Sequence, residues 1–160
     1  MELFLSAGLV FLIMIIYLYI KKTESEPSYR YKPKMHIMTR AEADLFRKLE
    51  KEFGSEYCIF PQVHLSSLVS GRIRGQNWEG AFRHINGKSV DFVLVDKTTL
   101  QTICAIECDD YTHERKDRIE RDKEVDRIFE SVGVPLVRIH ASLKKTSTTI
   151  KKEVKMYIDI

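Results

Sequence analysis

Apolar side chains recur at helical spacing between Arg40 and Phe53, where Leu45, Phe46, Leu49 and Phe53 define one face. Thr39 and Glu42 stand at the T-x-x-E spacing of a capping box, and Gly54 follows as a terminator. The pattern then shortens. Tyr57 to Leu65 (YCIFPQVHL) favours a strand, which Pro61 demotes to an edge or a bulge. Ser89 to Asp96 (SVDFVLVD) and Gln101 to Cys108 predict two further strands joined by Lys97-Thr-Thr, a hairpin. Between the Tyr57–Leu65 strand and this hairpin, Leu68 to Asn86 is mixed and glycine-punctuated, a loop with a short helix that holds Arg72, Arg74, Trp78, Arg83 and His84.

Glu114 to Val132 predicts a charged helix with Val125, Ile128, Phe129 and Val132 as its apolar face, stopped by Gly133. Val134 to His140 (VPLVRIH) reads as a last core strand, and Ile150, Val154, Tyr157 and Ile158 suggest a packing helix in the tail. The order α-β-β-β-α-β predicts an α/β layer architecture, a mixed sheet flanked by helices. The expected organisation is an anchor over 1–22, a linker over 23–38, a domain over 39–140 and a tail over 141–160.

The anchor expectation comes from Leu3 to Ile20 (LFLSAGLVFLIMIIYLYI), a run without charge. Roughly 17–20 apolar residues suffice to span a bilayer. A signal peptide would want a leading basic residue and a small-residue cleavage site. Here Glu2 leads, and bulky Tyr17, Tyr19 and Ile20 close the run. Lys21, Lys22, Arg30, Lys32 and Lys34 all follow it, which orients a single-pass helix with its N-terminus out and the domain in the cytoplasm.

Composition adds little. A formal charge of +3 over 160 residues permits a nucleic-acid partner without announcing one. Cys58, Cys104 and Cys108 are an odd number without metal-site spacing, so they read as small buried hydrophobes in a reducing compartment.

The candidate chemistry lies in ICAIECDDYTH, residues 103–113. Alternation puts Glu107 and Asp109 on one face of the strand and Asp110 on the other. Asp91 interrupts an apolar strand, and a buried unpaired carboxylate costs several kcal/mol, so something must compensate it. If the hairpin pairs in the expected direction, Asp91 lies beside Glu107. Asp91, Glu107 and Asp109 gathered on one face are the expected ligands of a Mg²⁺, which takes one or two carboxylates plus waters and phosphate oxygens. The same group also suits a solvated turn with ordinary ion pairs. Arg118 and Arg121 on the next helix fall where they would neutralise the acids or grip a phosphate; such charged helices also serve as plain solvated faces.

Together, HINGKSVDFVLVD, ICAIECDDYTHERKDRIERDKEVDRIFESVGVPLVRI and FPQV resemble the domain of unknown function 2726 family, over Thr39 to Ile139. That family is assigned to the restriction-endonuclease-like, PD-(D/E)XK nuclease superfamily, near its very-short-patch-repair-like branch. The resemblance implies a restriction-endonuclease-like sheet, a Mg²⁺ or Mn²⁺ cofactor, and nucleic acid, DNA ahead of RNA, as substrate. It carries metal-binding roles onto Asp91 and Glu107, and onto Glu42 in the first helix. Asp109 stands where most active members have lysine. His113 is the natural substitute as a general acid or base, with Lys88 and Lys116 as further candidates. Gln62 either touches substrate backbone or satisfies an edge strand. Three functions follow as expectations: a membrane-anchored metal-dependent nuclease, a degenerate nuclease fold that binds nucleic acid or protein at the membrane, or an anchored interaction module.

Overall fold

The structure is a computed structural model that describes residues 2–23, 29–109, 116–140 and 145–158, with the backbone alone for 2–7, 20–23 and 116–119. The chain divides into two units, Met1–Met35 and His36–Ile160.

Among the described residues the first unit holds one helix, α1 (Glu2–Thr23), and the side chains from Leu9 to Tyr19 are all exposed. Among the described residues, no helix is long and apolar enough to cross a membrane. The expected transmembrane helix is corrected accordingly, and with it the single-pass placement that set the domain in the cytoplasm.

In the second unit, α2 (Arg40–Phe53) begins at the expected capping box: Glu42 N–H donates to Thr39 Oγ1 at 3.2 Å, and Thr39 N–H donates to Glu42 Oε2 at 2.7 Å. Each such cap satisfies backbone donors that the first turn leaves open, worth about 1 kcal/mol. The sheet follows, from β1 (Tyr57–His64), β2 (Ser89–Asp96), β3 (Thr102–Asp109) and β4 (Leu136–His140), in that spatial order. The first three strands form an antiparallel meander, and β4 runs parallel to β3. A parallel neighbour needs a crossover, which α5 (Lys116–Val132) supplies. The segment after β1 resolves into α3 (Leu65–Leu68), a loop and α4 (Trp78–Ile85); α6 (Ser147–Ile158) follows β4.

Both faces of the sheet are covered. Phe92, Leu94, Cys104, Ile106, Val137 and Ile139 pack with Leu45 and Leu49 of α2 and with Ile150 and Val154 of α6. The tail is thus part of the core layer, because its two apolar positions a turn apart meet α2. On the other face, Val90, Val93 and Ala105 pack with Val125 and Phe129 of α5. Truncating a fully buried Leu49 or Phe129 to alanine would cost about 2–5 kcal/mol. Val132, expected on that apolar face, is 45% exposed.

Candidate functional site

Strand register assembles the acidic site. Phe92 pairs with Ile106, Val93 with Ala105 and Leu94 with Cys104, so one step along the antiparallel ladder sets Asp91 beside Glu107. Asp91 Oδ2 accepts from the Cys108 backbone N–H at 2.8 Å, a side chain taking a bond of the kind that strand backbone usually makes. On its other side, Pro61 pairs with Phe92 and Val63 with Val90, which leaves Gln62 across from Asp91. Gln62 adopts φ +52°, a left-handed conformation that costs a side-chain-bearing residue about 1–2 kcal/mol. In that conformation its Nε2 lies 3.4 Å from Asp91 Oδ1.

Glu107 and Asp91 hydrogen-bond to each other. Burial pushes the Glu107 carboxyl up to about 8, and the Asp91 charge, the bond to Asp91 and the Asp109 charge act in the same direction against Arg138. Burial also raises Asp91, with the Glu42 charge adding to the effect, while bonds from Cys108, Glu107 and Gln62 oppose it. Burial and mutual repulsion thus act on both carboxyl groups in the same direction and favour the pair keeping a proton.

Arg138, on β4, pairs in register with Glu107. Its Nη1 donates to Asp109 Oδ1 at 3.4 Å, and its Nη2 to Asp126 Oδ1 of α5 at 2.8 Å. The sequence contained the signal for this residue: a cation inside the apolar strand VPLVRIH, the mirror of Asp91 inside SVDFVLVD. The helix arginines drew the expectation instead. Arg121 is exposed on α5, and the Arg118 side chain lies outside the described residues.

The other expected residues divide similarly. Glu42 closes the capping box and also acts on Asp91 through its charge. Lys88 turns away from the carboxylates: its Nζ lies 3.3 Å from Glu124 Oε2 and donates to the His84 carbonyl. Asp110 and His113 lie outside the described residues, as does the Lys116 side chain.

Among the described residues, no three His, Cys, Asp or Glu side chains are grouped to hold a metal ion. Asp109 is turned to Arg138, which leaves the Asp91–Glu107 pair as the converging donors. Two hard carboxylate groups completed by water match the ordinary Mg²⁺ donor set. The pair fits such an ion only once it has lost its shared proton, because a carboxyl O–H is no ligand.

Helix-flanked α/β sheets serve many unrelated chemistries. Residues 34–157 match the family described as "Protein of unknown function (DUF2726)", and the chain belongs to that family. The matched span takes in α6, which the sequence resemblance had left out. No curated protein and no solved structure matches the chain.

Proposed function

We propose that the His36–Ile160 unit is a metal-dependent phosphodiesterase acting on nucleic acid, built on the PD-(D/E)XK plan. The observation that carries this reading is the Asp91–Glu107 pair, two carboxyl groups that register sets side by side on adjacent antiparallel strands. Asp91 and Glu107 would hold one Mg²⁺ or Mn²⁺, with Glu42 close enough to add negative charge. Such an ion supplies a polarised phosphate oxygen and a water acidified toward neutrality. The rest falls to the chain. Gln62 and the Cys108 N–H fix the Asp91 carboxylate, Arg138 holds a cation beside Asp109 where the superfamily has lysine, and His113 is assigned proton transfer.

The ion pair between Arg138 and Asp109 at 3.4 Å also favours a second reading, a nuclease-like fold that binds nucleic acid without cutting it. Incubating the full chain with labelled DNA and RNA in Mg²⁺, Mn²⁺ or EDTA separates the two. Metal-dependent cleavage that disappears in Asp91→Ala and Glu107→Ala supports the hydrolase. Salt-sensitive binding without cleavage, unchanged in both variants, supports the binding module.

A further inference from the structure

Trp78 is the single tryptophan of the chain, and it stands 48% exposed on the first turn of α4 with Phe82 41% exposed beside it. Their rings lie 6.4 Å apart, and the Arg72 guanidinium carbon sits 5.4 Å from the Trp78 centroid. The preceding loop is shaped to deliver that arginine. A Cβ at Gly71 would come within 2.7 Å of the Ala81 Cβ, so only glycine lets the chain lie flat on α4 there. Gln76 Nε2 then ties back to the Gly71 carbonyl at 3.2 Å, and Asn77 caps α4 through Gly80 N–H at 3.1 Å.

The charge around the rings is mostly positive. Arg72, Arg74 and Arg83 are exposed between residues 69 and 86, against Glu79 as the one acid of that stretch. Nothing in the core requires this arrangement, since Ile85 alone of α4 is buried. His84 binds Glu124 of α5 at 2.5 Å, fixing α4 to the helix that flanks the acidic site. Three residues after Ile85 comes Lys88, and then β2 with Asp91.

We propose that Trp78 and Arg72 form a stacking platform for an unpaired base, with Arg72, Arg74 and Arg83 meeting the phosphates of a single-stranded nucleic acid. Aromatic rings and guanidinium planes are the surfaces on which splayed bases stack, and the contact tolerates any base because each has a π-face. This deepens the nucleic-acid reading above and rests on it: the strand engaged at the acidic site would be single-stranded or frayed.

The test uses the full chain in EDTA, titrated with oligothymidylate and followed through the emission of Trp78. Saturable quenching is expected, with affinity falling as salt rises, and with a duplex of equal length quenching little. By anisotropy of a labelled strand, Trp78→Ala should weaken binding about 5- to 150-fold, the range for one lost stacking contact. Trp78→Phe should recover most of it. Arg72→Ala should reduce the slope of log affinity against log salt by about 0.7, one phosphate contact. Strand binding that leaves Trp78 emission unchanged, equal quenching by duplex, absence of binding, or emission that changes only with protein concentration (self-association) would each overturn the platform. Binding with quenching in a chain that never cleaves would keep the platform and refute the hydrolase. Cleavage of single strands with an unchanged KM in Trp78→Ala would do the reverse.

Discussion

Asp91 and Glu107 stand side by side across β2 and β3, while Cys108 and Gln62 fix the aspartate from either side. A site of this kind is a competition between a proton and a cation for the same oxygens. Its behaviour with pH, metal and mutation can be worked out from that competition.

Stability of the metal-free protein should fall as pH rises. The folded Glu107 titrates near 8, above the ordinary 4.5, so between those values the folded state keeps a proton that the unfolded chain has lost. The stabilisation is complete below about 4.5 and is lost as pH climbs through about 8, with a limiting slope of about 1.4 kcal/mol per unit for one proton. Urea midpoints measured in EDTA from pH 4.5 to 8.5 would record it. Glu107→Gln, uncharged throughout, should flatten this component.

Divalent cation binding should expel that proton. At pH 7 the pair is mostly protonated, so Mg²⁺ or Mn²⁺ would release close to one proton per ion bound, since metal ligands must first deprotonate. Calorimetric titration in two buffers of different ionisation enthalpy gives the number. Release near zero in the wild-type chain would refute metal binding at the Asp91–Glu107 pair.

Arg138→Ala should act twice. It leaves Asp109 and Asp126 without their shared cation, at a cost of about 1–3 kcal/mol after allowance for a guanidinium that is 27% exposed. It also removes the positive charge that lowers Glu107. The pH–stability midpoint should move upward as overall stability drops, and a drop without that displacement would show that Arg138 only packs. Arg138→Lys should recover the midpoint better than the stability, because an ammonium cannot reproduce the guanidinium fork.

Gln62→Gly should separate strain from function. Glycine accepts φ +52° without the side-chain penalty, so thermal stability should hold or rise by about 1 kcal/mol. The bond to Asp91 disappears at the same time, and cleavage should fall. A variant that is less stable and fully active would mean that Gln62 contributes packing alone.

Much of this architecture is written in local pattern. Period-two alternation exposed Ser89–Asp96, helical spacing exposed Arg40–Phe53, and Thr39 with Glu42 marked the cap later seen in the bonds. Asp91 stood out because a charge inside an apolar strand demands a partner. Arg138 carried the same signal, but periodicity along α5 pointed to Arg118 and Arg121, and the angular position of a helix residue says nothing of which side chains its neighbouring strand projects. The left-handed turn at Gln62 had no glycine or asparagine to announce it. The seat of Arg72 on Trp78 depends on Gly71 meeting Ala81, a contact that forms only after α4 has docked. The apolar run near the N-terminus was judged by its length and lack of charge, and among the described residues no helix is long and apolar enough to cross a membrane.

The break at Pro61–Gln62 has one more effect. As the outer strand beyond β2, β1 offers its far row of backbone groups to any passing chain. Proline withholds an N–H from that row, and the left-handed residue after it bends the next groups out of line. The eight-residue edge keeps one register with β2 from Tyr57 to His64, yet at these two residues it is a poorer template for another strand. The same kink that brings a glutamine to Asp91 thereby guards the sheet against sticking to copies of itself.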